Sequence, residues 1–224
     1  MNIPNGIDLA RFSDTRPAED LREGKTGELV VGFVGRLVKE KGCAVLLAVA
    51  ADCIAEFPKS RFVITGEGPE RESLETLSKQ LRLKQNVHFT GRREDMPAVY
   101  AAFDVCVLPS FVEAMPMTIL EAMAAGNPVI ATRIGEIPTT VENETTGILV
   151  APNDARELRE AILRLLRDGN LRRSMGQSGR ARVQRHFSVE RMSQSYVEIY
   201  RQICGVTTSM AQFADYAEDV SKLR

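Results

Sequence analysis

A chain of 224 residues is long enough for one large domain or two small ones, and 44% hydrophobic with 26% charged residues is an ordinary soluble, globular composition. A formal net charge of -1 excludes a global pull towards nucleic acid or an anionic membrane. The longest apolar run, 43–51, stops at Asp52, far short of the ~20 residues that a membrane-spanning helix needs.

In chain order, the first apolar run reads as a strand over 29–34, and the next pattern as a helix over 42–56 that Pro58 stops. A strand over 61–65 and a helix over 70–81, opened by Pro69, come next. Then come a strand over 86–90, a helix over 96–102, a strand over 105–108 and a helix over 117–125. Strands over 128–132 and 147–150 enclose a short helix over 137–141. Helices over 155–167, 171–186 and 189–204 close the pattern, the last with Ser188 as its N-cap and Arg191 three residues on. Residues 205–224 have mixed polarity and a weak helical pattern over 210–223. Short apolar runs alternating with longer amphipathic ones predict an α/β domain, a Rossmann-like parallel sheet of about six strands with helices on both faces.

The four cysteines, Cys43, Cys53, Cys106 and Cys204, show no Cys-x-x-Cys spacing, and three lie in apolar patterns where a reduced thiol acts as a small core residue. The N-terminus has neither the basic nor the apolar region of a secretory signal. The expectation is a cytoplasmic protein.

The most informative stretch is Ser110-Phe-Val-Glu-Ala-Met-Pro-Met-Thr-Ile-Leu-Glu-Ala-Met-Ala-Ala-Gly-Asn-Pro-Val-Ile-Ala-Thr132. A strand ending near Pro109 delivers Glu113 on a loop, Pro116 sits where a helix start tolerates it, and Glu121 lies about one turn inside. The free N–H groups of that helix start attract phosphate through unpaired donors and the helix dipole. At the first strand-to-helix turn, Gly35 lets backbone approach a ligand closely, and Arg36 and Lys41 are placed to bracket a diphosphate that otherwise needs a metal.

Together these residues resemble the Glu-x7-Glu signature of retaining glycosyltransferases of the glycosyltransferase family 4 kind, enzymes with two facing Rossmann-like domains, the GT-B fold. Pro116, the run from Leu120 to Ala124, Gly126 and the run from Pro128 to Thr132 match it. From Ile3-Pro-Asn-Gly-Ile-Asp8 to about Tyr200 the chain is similar to the donor-binding half of such an enzyme. The resemblance makes 1–28 an interdomain linker and leading segment, 29–187 the nucleotide-sugar-binding domain, 188–204 a C-terminal helix and 205–224 a tail. It assigns Arg36 and Lys41 to the leaving diphosphate, Glu113 to donor-sugar hydroxyls near the reacting carbon and Glu121 to the ribose hydroxyls. Ala114, Met115, Met117 and Thr118 would add backbone donors, and the Gly91-Arg92-Arg93 loop would meet the base. The family usually has glycine where this chain has Ala114. At a positive φ, alanine would add strain of about 1–2 kcal/mol.

The function implied is sugar transfer from a nucleotide diphosphate sugar to an acceptor hydroxyl, in polysaccharide or glycoconjugate synthesis, with no cofactor and no metal. The partner is an acceptor-binding domain in cis or trans, without which the chain is expected to be inactive. A noncatalytic nucleotide-sugar-binding module, a split subunit and a nucleotide-sugar epimerase stay open as alternatives. A dinucleotide oxidoreductase does not fit, because Gly32 and Gly35 build no Gly-x-Gly-x-x-Gly, and Gly66-Glu67-Gly68 is followed by Pro69 and Arg71. No Asp-x-Asp pair occurs, and His88 and His186 have no second ligand at metal spacing. Arg167, Arg172, Arg173, Arg180, Arg182 and Arg185 make one region locally basic, a pattern that elsewhere supports peripheral membrane contact but more often marks a solvated face.

Overall fold

The computed structural model describes residues 3–13, 15–22, 24 and 27–204, so the tail and its weak helical pattern lie outside the described residues. Six strands form one parallel sheet: β1 (Leu29–Val34), β2 (Ser60–Thr65), β3 (Val87–Gly91), β4 (Val105–Leu108), β5 (Val129–Thr132) and β6 (Gly147–Val150). A six-stranded parallel sheet is what the alternating pattern predicted, and the structure gives its order as β3-β2-β1-β4-β5-β6. Every residue of β4, β5 and β6 is buried, which is why these segments read as continuous apolar runs rather than alternating ones.

The helices are α1 (Cys43–Glu56), α2 (Arg71–Gln80), α3 (Met96–Ala101), α4 (Met117–Ala124), α5 (Ile137–Thr140), α6 (Ala155–Arg167), α7 (Gly169–His186) and α8 (Val189–Cys204). The chain leaves β1 in one direction and β4 in the other. Right-handed crossovers therefore put α1 and α4 on opposite faces of the sheet. α1 packs with α2 and α6, and α4 with α3 and α7. In α6 the buried residues Leu158, Ala161, Ile162 and Leu165 repeat at helical spacing, and the Asp154 carboxylate caps its start by accepting the Glu157 N–H at 2.8 Å.

Several boundaries differ from the expected ones by one or two residues, and two of the differences have a clear local cause. α7 begins two residues before the expected start because the Asp168 carboxylate accepts the N–H groups of Asn170 and Leu171 at 3.0 and 2.9 Å. β3 runs one residue past its expected end because the register slips, so that Thr65 faces Gly91. As expected, the Ser188 hydroxyl accepts the Arg191 N–H, at 3.2 Å.

The leading segment is packed onto the domain. Ile7 donates to the Phe187 carbonyl at 2.8 Å and accepts from Val189 at 3.1 Å, Phe12 is buried, and Ala18 donates to the Ala98 carbonyl at 2.9 Å. Gly32 has a packing role rather than a ligand-binding one, since a Cβ there would lie 2.1 Å from the Phe103 ring. α8 has no buried residue, and Tyr196, Tyr200 and Ile203 are exposed on it.

Cys43, Cys53 and Cys106 are buried, and burial pushes each thiol up to about 12, whereas Cys204 is exposed. At pH 8 the three buried thiols are therefore almost wholly protonated and shielded. One equivalent of a thiol-specific reagent is expected to react with the native chain and four after denaturation. Rapid native labelling of more than one thiol would contradict this burial.

Candidate functional site

The strand order reverses between β1 and β4, where the loops at their carboxyl ends diverge and leave a crevice, the usual ligand position in open α/β sheets. Loops from four strands line it. After β1 comes Gly35-Arg36-Leu37, then a 3-10 turn at Lys39–Lys41 and Gly42 at φ +68°. A Cβ on Gly42 would lie 2.0 Å from the Pro109 carbonyl oxygen, so glycine is what lets the start of α1 touch the loop after β4. That contact is tied by the Phe111 N–H, which donates to the Glu40 carbonyl at 2.7 Å.

The same contact brings Lys41 to Glu113. The Lys41 ammonium donates to Glu113 Oε1, and the Ser110 hydroxyl donates to that oxygen at 2.8 Å. Only 8% of the Glu113 side chain and 20% of the Lys41 side chain are exposed, so the pair is largely withdrawn from water. Ser110 is buried, and its carbonyl accepts from Thr132 Oγ1 at 2.6 Å, which anchors the loop to β5.

Glu121 faces a different neighbour: its Oε2 accepts from the buried Tyr100 hydroxyl at 2.7 Å. Burial and then the adjacent Glu121 charge raise Tyr100 well above the ordinary tyrosine range, so it remains a donor. Between the two acids, Pro116 precedes α4 and has no N–H of its own. Thr118 Oγ1 reaches the Val34 carbonyl at 3.4 Å. The N–H groups of Ala114, Met115, Met117 and Thr118 have no backbone partner among the described residues, as is usual at a helix start.

Ala114 does not have a positive φ, so the strain considered for alanine there does not arise. Its carbonyl accepts from the Glu136 N–H at 2.9 Å, and the neighbouring Gly135, at φ +50°, passes so close that a Cβ would lie 2.1 Å from the Glu113 carbonyl oxygen. Met115 meets the leading segment, with the Asn5 N–H 3.3 Å from its sulfur.

The second half of the crevice lies over β1, β2 and β3, where Gly35, Arg36, Gly66 and Arg92 line a cleft of about 280 Å3. Arg36 and Arg92 are exposed, and neither has a side-chain partner among the described residues. Arg93 is engaged instead, bonded to Asp20 at 2.6 Å and to Asp95 at 2.7 Å; these bonds hold both carboxyls below the usual carboxylate range. Gly66 N–H donates to the Gly91 carbonyl at 2.9 Å and Gly35 N–H to Thr65 at 3.0 Å, joining the three loops.

Arg36 and Lys41 are thus not alike: one is free in the cleft, and the other is held by Glu113. Tyr100 was not singled out in the sequence, nor were the roles of Ser110 and Thr132: Tyr100 bonds to Glu121 and Thr132 to the Ser110 carbonyl across more than twenty residues, and the Ser110 hydroxyl reaches Glu113 only through the turn of the loop. Among the described residues, no three His, Cys, Asp or Glu side chains form a group that could hold a metal ion. Much of the local basic charge is engaged within the chain: Arg167 pairs with Glu56, Arg182 with Glu142, and Arg172 donates to the carbonyls of Leu165 and Leu166. No described helix is long and apolar enough to cross a membrane.

Comparison with known proteins places this geometry. Residues 16–182 match the family described as glycosyl transferases group 1. A D-inositol 3-phosphate glycosyltransferase of Corynebacterium jeikeium is 32% identical over 216 residues, covering 88% of this chain and 51% of the relative. An Escherichia coli UDP-Gal:alpha-D-GlcNAc-diphosphoundecaprenol alpha-1,3-galactosyltransferase is 33% identical over 206 residues, covering 88% and 53%. The chain therefore spans about half the length of these curated relatives. Anabaena HepE, crystallised with UDP and glucose, superposes with a TM-score of 0.81 at 26% identity, over 89% of this chain and 56% of that one. The C-terminal domain of a glycosyl transferase group 1 family protein from Francisella tularensis is covered over its whole length, 100%, by 82% of this chain, with a TM-score of 0.72 and 28% identity. With a matching family over most of its sheet and relatives above 30% identity, this chain belongs to the glycosyl transferases group 1 family.

Proposed function

We propose that this chain is the donor-binding part of a retaining glycosyltransferase that moves a hexose-type sugar from a nucleotide diphosphate sugar to an acceptor hydroxyl. The observation that carries this is the largely buried Lys41–Glu113 pair, which joins the loop after β1 to the loop that leads into the uncapped start of α4, at the point where the strand order reverses. In transfer, the bond from the anomeric carbon to the diphosphate oxygen breaks and a bond to the acceptor oxygen forms on the same face. The acceptor proton leaves towards the departing diphosphate.

Negative charge grows on the leaving group in that step. The Lys41 ammonium, the Arg36 guanidinium and the start of α4 stabilise it without a metal. Donor binding draws Lys41 towards the diphosphate and releases Glu113 for the sugar hydroxyls, while Glu121 accepts from the ribose. The exposed Arg92 lies beside the base. Acceptor binding falls to the portion of the relatives that this chain does not span, in cis or trans, so the chain alone performs no efficient transfer. The names of the two relatives, one acting on an inositol phosphate and one on a sugar diphospholipid, support an acceptor in glycoconjugate or polysaccharide synthesis.

Calorimetric titration with UDP and with GDP tests the reading. Binding of at least one is expected, unchanged by a chelator, and Glu121→Ala is expected to weaken it by about 1–3 kcal/mol through the lost hydrogen bonds. Loss of binding in chelator refutes metal independence, and binding of neither nucleotide refutes the donor role.

A further inference from the structure

Tyr100 has no part in the donor site as described, yet it is one of the largest side chains buried to 0% exposure. Its ring lies 6.2 Å from Phe12 and 5.8 Å from Phe103, the latter edge-on, in space that phenylalanine would fill equally well. Packing therefore accounts for the ring but not for the hydroxyl. A buried hydroxyl without a partner would be costly, and this one has a single donor bond, to Glu121 Oε2 at 2.7 Å.

The bond also constrains Glu121. The terminal torsion of a glutamate is broad, so a carboxylate at a helix surface has no fixed plane unless something holds one oxygen. On α4 the other oxygen, Oε1, has no hydrogen bond among the described residues. Tyr100 is itself well anchored: α3 is tied to the leading segment by the bond from Ala18 to Ala98 at 2.9 Å and by the contact with Phe12.

We infer that Tyr100 is a positioning residue for Glu121, its buried hydroxyl holding one carboxylate oxygen so that the other is presented to the vicinal hydroxyls of a nucleotide ribose. The inference rests on the donor-binding reading given under Proposed function. It assigns the leading segment an indirect part in nucleotide recognition, because Phe12 and Ala18 set the position of the helix that carries Tyr100.

The test uses the full chain, titrated with UDP and GDP and with their 2′,3′-dideoxy forms, in four versions: unaltered, Tyr100→Phe, Glu121→Ala and the double variant. Tyr100→Phe is expected to weaken the ribose-bearing nucleotide about fivefold to tenfold, the size of one well-formed hydrogen bond, and the dideoxy form by less than about twofold. In the Glu121→Ala background, the same change should do nothing further. Thermal melts monitor folding. Equal weakening of ribose and dideoxy ligands, or full additivity in the double variant, would mean that Tyr100 acts only through general packing and would overturn the inference. Weakening by Glu121→Ala with no effect of Tyr100→Phe overturns it alone, leaving the donor site intact. No effect of Glu121→Ala, or binding of neither nucleotide, removes the ribose role of Glu121 and the inference with it.

Discussion

Replacing Gly66 with alanine is expected to lower stability by about 3 kcal/mol, which in a domain of this size lowers the melting midpoint by roughly 6–12 °C. Gly66 has φ +140°, where L side chains are rarely found, and an added Cβ would lie 1.9 Å from the Gly35 carbonyl oxygen. Neither the strand end of β1 nor the loop after β2 is free to yield, because Gly35 is bonded to Thr65, Leu37 to Glu67 and Gly66 to Gly91. Gly126→Ala is the control. Its φ is also positive, at +82°, but nothing lies within 4 Å of the added Cβ, so only the backbone strain of about 1–2 kcal/mol remains. Since the Gly66 contacts join the three loops lining the cleft, the alanine variant should also lose nucleotide binding at temperatures where it is still folded. Equal melting points for the two variants would show that the loops are not locked together in this way.

Lys41→Met is expected to weaken nucleotide diphosphate binding at least tenfold, the effect of removing a charge-assisted contact to a diphosphate from a partly desolvated site. It should also reduce stability by about 2 kcal/mol, because Glu113, only 8% exposed, keeps a single donor from Ser110. Glu113→Gln should act in the opposite sense. The amide oxygen still accepts from Ser110, Lys41 is released, and nucleotide diphosphate binds as tightly as before or more tightly, while transfer in the presence of an acceptor domain falls. Calorimetry on the two variants decides the matter: parallel losses of affinity would mean that the pair is a structural ion pair with no exchange of partners on donor binding.

Most of the fold was legible before any coordinates. β1, β4 and β6 lie where the apolar runs predicted, since a strand buried on both faces writes itself as an unbroken apolar segment. The helix α6 matches its expected span because its apolar stripe and its aspartate cap agree. The start of α7 and the end of β3 were misjudged by one or two residues. One depended on a capping bond from Asp168, and the other on a register slip against β2. Both are contacts that periodicity does not encode.

The candidate site divides along the same line. Residue type and spacing, together with the family resemblance they carry, singled out Glu113, Glu121, Arg36 and Lys41, since acids at a helix start and cations at a glycine turn are local features. Their partnerships were not legible. That Lys41 closes on Glu113, that Arg36 stays free, that Ala114 is unstrained and that Tyr100 holds Glu121 all follow from which loops the parallel crossovers bring side by side. Sequence by itself determined the alternation of elements and the chemical groups at the strand ends, since these depend on neighbours three or four residues away. Only the tertiary structure decided the pairings, because an ion pair or hydrogen bond between residues 21 or 72 positions apart depends on where the whole sheet places two loops.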